Sequence, residues 1–346
     1  MTLAEAVLGA AFAGLVAYAL FGGADFGGGV WDLLAGGTER GRRTRERVER
    51  SIGPVWEANH VWLIFVLVVL WTGFPGVFAA AVSTLYLPLT FAAFGIIARG
   101  AAFAYRKSVD TPGMRRFFGA AFAASSLLTP FFLGAVVGGV ASGRVPPGIA
   151  AGDVIVSWVN PASFLGGTLA VLVCAYLAAV FLCGDARRDG DHDLAEGFRR
   201  RALVTAVVTG VVGLAGIAVL WVDAPLLFDG LTGRGLPVVV LSVVAGLTAL
   251  GLLVSRRYIA ARLASALAVT AILVGWAVSQ YPYLLPPSRT VDEAAAGRST
   301  LLALLIALCA GAAILVPSLV YLYTLFQRST VPRLDRRTNA DVSHPA

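Results

Sequence analysis

Four ionisable side chains interrupt long apolar stretches of this 346-residue chain: Asp25, Glu57, His60 and Arg99. Charges are costly in hydrocarbon, so an intramembrane ionisable residue marks an ion path, a proton relay or a buried pair. Asp25 sits among Gly22, Gly23, Gly27, Gly28 and Gly29, a density that lets neighbouring helices approach closely. It reads either as a carboxylate paired at a tight helix crossing or as a proton-handling group. At ~1.5 Å per residue it lies ~15 Å from the end of its stretch. Asp32 follows seven residues on, near that end, and reads as a capped or paired carboxylate. Glu57 and His60 are spaced i,i+3 and share a helix face. Pro54 just before them suits a first helical turn. Glu57 either compensates the helix N-terminal dipole or accepts protons. His60 is open to three roles: a haem or metal ligand, a proton relay, or a hydrogen-bonded core residue, the commonest fate of a lone His. Arg99 either snorkels to the interface or pairs with Asp25 or Glu57. A chain of carboxylates opening on one membrane face would suit proton transfer.

The elements that must hold these residues follow from composition. Hydrophobic residues are 58% of the chain and charged residues 14%, with mean hydropathy +0.80. A soluble domain is nearer half apolar and a quarter charged, so a soluble enzyme and a disordered chain are both excluded. Apolar runs define spans at 3–35, 54–74, 77–104, 117–141, 160–183, 202–222, 236–254, 259–280 and 300–326. They lack the alternation of a β-barrel, which leaves helices to satisfy the backbone in lipid. The fold class is an all-α polytopic membrane protein of about nine helices. Residues 1–327 form a single transmembrane domain, and 328–346 are a polar tail. No short repeat is visible.

Net charge is +7 and pI near 9.7, which in a soluble protein would hint at nucleic acid. Here 22 of the 27 basic residues fall after spans 1, 3, 5, 7 and 9. Only Arg144, Arg234, Arg289 and Arg298 lie in the other connections, and Arg99 is within a span. The positive-inside rule places the N-terminus outside and the tail in the cytoplasm. The charge records topology, and no nucleic-acid partner is implied. The N-terminus carries only Glu5 and no basic segment, unlike a cleavable signal peptide. Tyr281 to Pro287 reads as an aromatic, Pro-rich turn at the outer interface.

Several chemistries drop out. Cys174, Cys183 and Cys309 are odd in number and lack CxxC spacing. Of three His, His192 and His344 lie in polar segments, and Met1 and Met114 lie outside the spans. A six-coordinate haem needs two His, or His and Met, which these spans cannot supply. Asp189, Asp191 and Asp193 lack the Gly and Glu of a calcium loop. The glycine cluster follows no strand, so it is no dinucleotide fingerprint.

The stretch GGADFGGGVW, Gly22 to Trp31, resembles the first-helix signature of the cytochrome bd quinol oxidase subunit II family. The run from Ser51 to Arg106 is similar to the same family, through SIGPVWEANHVW, WTGFPGVFAAAVSTLYLPL and FGIIARGAAFAYR. The resemblance, strongest over these first helices, extends to the Tyr281–Ser288 turn and the last helix with Tyr321 and Tyr323. It implies a fold of two four-helix bundles plus a peripheral helix. It implies a haem-bearing subunit I as partner, holding two b-type haems, one d-type haem and the quinol site, with no haem on this chain. The complex would oxidise quinol and reduce dioxygen to water with cytoplasmic protons, in the bacterial plasma membrane. Carried over residue by residue, the buried acid of the first helix falls on Asp25. The acid after the Trp falls on Glu57, where the family often has Asp, and the membrane Arg falls on Arg99. Trp62 falls near an oxygen or proton route, with Trp56 and Asn59 in the same motif. His60 sits where the family varies. A small single-helix subunit and a structural quinone or lipid are further components the resemblance leaves open.

The expectation is an accessory subunit that stabilises its partner and contributes a proton path through Glu57, Asp25 and Arg99. The competing class is a secondary transporter, whose buried charges would line a substrate site; against it, most of these charges sit at one face. A third is a scaffold whose charges only lock helices together.

Overall fold

In the computed structural model, residues 2–36, 41–52, 56–108 and 111–328 are described. The expected polar tail lies outside the described residues. The first span is one path of three parts: α1 (Leu3–Ala17), a π-helical segment (Tyr18–Gly22) and α2 (Gly23–Leu33). Thr2 and Glu5 start α1 with a reciprocal capping box. Next come α3 (Arg42–Ile52), α4 (Trp56–Gly73), α5 (Pro75–Thr84), α6 (Tyr86–Ser108) and α7 (Pro112–Ala141). Then follow α8 (Pro161–Arg188), α9 (His192–Asp223), α10 (Pro225–Thr232), α11 (Leu236–Val254) and α12 (Tyr258–Gln280). A short antiparallel pair, β1 (Tyr283–Leu285) and β2 (Arg289–Thr290), leads into α13 (Val291–Ala294) and α14 (Arg298–Arg328).

Among the described residues eight helices are long and apolar enough to span a membrane. The pair α4–α5 makes nine if it counts as one span, but it is bent by 120°. The sequence expectation of one continuous helix over 77–104 therefore needs correcting: the chain breaks at Leu85 between α5 and α6. Pro88 explains this, since its ring nitrogen cannot donate to the Thr84 carbonyl, whereas Pro75 opens α5 after the bend at Phe74. The connection 223–235, expected as a loop, contains the helix α10 in the same way.

Those two breaks are alike. Phe74 has φ −139° and ψ 57°, and Ala224 has φ −141° and ψ 61°. Each precedes a proline that opens a short helix. The residues Trp71, Pro75 and Phe78 recur 150 positions later as Trp221, Pro225 and Phe228. An internal repeat of helix, sharp turn and short helix is thus present at two points of the chain.

The chain divides into two compact units, Met1–Leu304 and Leu305–Ala346. The described part of the second is the remainder of α14, with Pro317 inside it. In the first unit α8 is the hub, packing against α2, α7, α9 and α12. Its segment Cys174 to Val180 is buried throughout. Gly27 of α2 makes the closest approach: a Cβ there would lie 1.8 Å from the Cys174 carbonyl oxygen. Only glycine permits that crossing. Exposed apolar side chains such as Trp71, Phe94, Ile97, Leu214 and Trp221 coat the outside, as a lipid-facing surface requires.

Contacts between connections sort them into two sets. On one face Thr2 meets Asp292, Ala150 meets Ser83, and Arg144 pairs with Asp223 at 2.5 Å. On the other Arg43 pairs with Asp191, Arg47 with Asp189, Arg256 with Glu196 and Arg262 with Asp185. The second set is the arginine-rich one.

Candidate functional site: a buried Asp–Asn–Arg cluster

The π-helical segment widens the first span one turn before Asp25, and such bulges are frequent at functional sites. It carries Phe21, whose carbonyl lies 3.4 Å from Asn59 Nδ2. The same Asn59 amide donates to Asp25 Oδ2 at 2.5 Å. Arg99 Nη2 on α6 donates to the Asp25 backbone carbonyl at 2.7 Å. Asp25, Asn59 and Arg99 are 5%, 2% and 2% exposed, so the first span, α4 and α6 are joined by a fully interior polar contact. The Arg99 guanidinium lies 4.5 Å from the Phe26 ring centre and 5.1 Å from that of Phe122. Ring faces stabilise a desolvated cation. Its Nε and Nη1 have no hydrogen-bond acceptor among the described residues.

Aromatic and sulfur side chains close around these groups. The half-buried His60 ring stands 6.1 Å from Tyr18 and 5.9 Å from Phe26. Trp62 packs on the cluster of Tyr18, Phe26 and Cys174, and 6.3 Å from Phe65. Below it, Trp31 Nε1 donates to the Ala175 carbonyl at 2.8 Å, tying α2 to α8.

Of the expected site residues, the structure brings together Asp25, Asn59, Arg99, His60 and Trp62. Arg99 reaches Asp25, as one expectation held, but through the main chain; the carboxylate belongs to Asn59. Glu57 is exposed and stands apart from this cluster. Helical geometry accounts for it, since residues two apart point to roughly opposite faces and Asn59 faces inward. The Trp56 side chain lies outside the described residues. Asp32 is buried, as its position on the glycine-rich face requires. The Asn59–Asp25 bond had a signal in the sequence: an amide in an apolar span is as conspicuous as a charge.

The arrangement combines a carboxylate, an amide donor and a guanidinium with free donors, all in a medium of low dielectric. It can hold a charge pair across three helices and can present a carboxylate to a proton route. It does not fit a haem: one His stands in the spans, no Met does, and His60 is packed between aromatic rings. Among the described residues no group of three His, Cys, Asp or Glu is placed for a metal ion.

The fold and site define a multi-pass α-helical membrane protein with a buried charge cluster, and comparisons narrow the class. The chain belongs to the cytochrome bd terminal oxidase subunit II family, whose description matches residues 3–326. It is 29% identical over 161 residues to the cytochrome bd ubiquinol oxidase subunit 2 of Bacillus subtilis (strain 168), covering 46% of this chain and 47% of the relative. It is 28% identical over 215 residues to the cytochrome bd-I ubiquinol oxidase subunit 2 of Escherichia coli (strain K12), covering 60% and 54%. The chain thus spans about half the length of these curated relatives. A putative cytochrome bd menaquinol oxidase subunit II of Bacillus subtilis (strain 168) is 20% identical over 323 residues, covering 90% and 92%. The solved bd oxidase of Geobacillus thermodenitrificans is similar with TM-score 0.73 and 25% identity, over 94% of this chain and 99% of that one.

Proposed function

We propose that this chain is subunit II of a membrane quinol:oxygen oxidoreductase. It stabilises a haem-bearing subunit I and helps deliver cytoplasmic protons to the site where dioxygen is reduced to water. The observation that carries the reading is the family match over residues 3–326, joined to a buried charge cluster in the region where the resemblance is most specific. The N-terminus stands outside and the arginine-rich face in the cytoplasm, in keeping with 22 of 27 basic residues in one set of connections. The haems supply the redox chemistry and belong to the partner. Glu57, exposed on the cytoplasmic end of α4, collects protons. Asp25, held by Asn59 and Arg99, anchors the interior end of the path.

The test is a Glu57→Ala variant purified with its partner. It assembles with full haem content and slows quinol-driven oxygen consumption several-fold. Wild-type turnover in that variant would remove Glu57 from the path. Loss of the partner on purification of the wild-type chain would overturn the subunit assignment itself.

A further inference from the structure

On the face bearing the N-terminus, a cavity of about 320 Å³ opens between α10, α12 and the turn after it. Ala141, Leu227 and Pro286 form its apolar wall, while Asp229 and Arg234 stand at its edge. We propose that it seats the headgroup of a zwitterionic aminophospholipid, with phosphate on Arg234 and ammonium on Asp229.

Four features support this occupant. First, the depth is that of a headgroup. Tyr281, exposed and stacked on Arg234, stands beside the cavity, and such amphipathic rings mark the membrane–water interface. Second, the charges are both present and both available. Arg234 gives one donor, Nη2, to the Ser279 carbonyl at 2.9 Å and stacks 5.9 Å from Tyr281. A guanidinium has five N–H donors, so others remain for a phosphate. The Asp229 carboxylate is in no ion pair among the described residues, with Arg234 or any other group. Two opposite charges at one cavity edge, too far apart to pair with each other, match a ligand that carries both signs.

Third, the other polar side chains of the lining are Ser279, Gln280 and Tyr283, and the buried Ser279 Oγ, without a hydrogen-bond partner among the described residues, is left for a ligand. Gln280 accepts from Trp276 Nε1 at 2.9 Å and donates to the Tyr283 carbonyl, so it is wall rather than ligand contact. Fourth, the internal repeat shows the same place filled elsewhere. Offset by 150 residues, Ser83 and Thr84 correspond to Gly233 and Arg234. At the first position the 142–159 connection closes over the helix end: Ala150 N–H donates to Ser83 at 2.7 Å and Thr84 is fully buried. At the second position the end of α12 packs against Gly230 and Gly235 instead, and the Asp229 and Arg234 side chains stay exposed beside it. A cavity of this size is at the lower end of small-ligand sites, roughly 300–1,000 Å³, with apolar walls and few convergent polar groups.

The test uses the full-length chain as extracted with its partner, delipidated in detergent and titrated with dioleoyl phosphatidylethanolamine under native mass spectrometry. Dioleoyl phosphatidylglycerol, which lacks the ammonium, and dioleoyl phosphatidylcholine, whose ammonium has no N–H, are the comparisons. One phosphatidylethanolamine is retained at least tenfold more tightly than either. Asp229→Asn abolishes the preference over phosphatidylglycerol, and Arg234→Gln weakens all three lipids about fivefold or more. Asp229 is exposed and its side chain holds no bond among the described residues, so Asp229→Asn keeps the fold and its melting temperature and decides the assignment even if Arg234→Gln, which gives up its bond to Ser279, melts lower. Equal retention of phosphatidylglycerol by the wild type, or an unchanged preference in Asp229→Asn, would overturn the proposal.

Discussion

Replacing Asn59 and Asp25 by alanine, singly and together, tests the cluster at its centre. The Asn59 amide donates to an Asp25 carboxylate oxygen 2.5 Å away, and both residues are buried. A hydrogen bond to a charged group contributes about 1.5–3 kcal/mol, and a buried partner left unsatisfied loses about as much again in desolvation. Each single variant leaves one such partner behind, while the double variant leaves neither. The double-variant loss is therefore smaller than the sum of the singles by about 1.5–3 kcal/mol. At ~2–4 °C per kcal/mol for chains of 150–250 residues, the non-additivity is a few degrees in melting temperature. Thermal melts of the four purified forms, followed by the loss of folded, unaggregated protein, give the cycle directly. Additivity within about 0.5 kcal/mol would refute the claim that these two side chains act as a pair.

Arg99→Met removes the bond to the Asp25 carbonyl and the countercharge of its carboxylate. Breaking a buried pair costs about 3–5 kcal/mol, so the variant accumulates poorly in membranes on a quantitative blot while Asp25→Asn/Arg99→Met partly recovers. Gly27→Ala drives a methyl into the Cys174 carbonyl and destabilises by at least the ~1–3 kcal/mol of ordinary overpacking; a melting temperature within a degree of wild type would contradict the crossing. Glu293 accepts from the Thr290 backbone N–H at 2.9 Å, which holds its carboxyl below the usual carboxylate range. A depressed folded-state value means the stabilisation is present above the ordinary Glu value and is lost as pH falls through the lower one. Hydrogen exchange of the 283–297 peptide, corrected for intrinsic rate, should therefore quicken below about pH 4.3 in wild type and show no such step in Glu293→Gln.

Membrane character was legible because span length and charge placement are coarse signals. The alternation of arginine-rich connections and the apolar runs located eight of the nine expected spans close to where the helices lie. The third breaks at Leu85, ahead of Pro88, and hydropathy does not register backbone dihedrals; for the same reason it does not show the 120° bend at Phe74 between α4 and α5. The repeat of Trp71, Pro75 and Phe78 at Trp221, Pro225 and Phe228 escaped for a related reason. Three residues in eight are too few to stand out in apolar sequence until the dihedrals at Phe74 and Ala224 coincide. In the site, Asp25 and Arg99 were found by the cost of charge in lipid. Their bonding was not, because a guanidinium can reach a main-chain carbonyl as well as a carboxylate. Glu57 was grouped with them by depth along the membrane normal, whereas the helix face it occupies turns it outward.

Purification of the tagged wild-type chain from its native membrane under mild detergent, with a reduced-minus-oxidised spectrum of the product, tests the central claim most directly. The account predicts a second, haem-bearing polytopic subunit in equal amount, with b-type and d-type haem absorbance and quinol-driven oxygen consumption. Recovery of the chain alone, folded and free of haem absorbance, would contradict it.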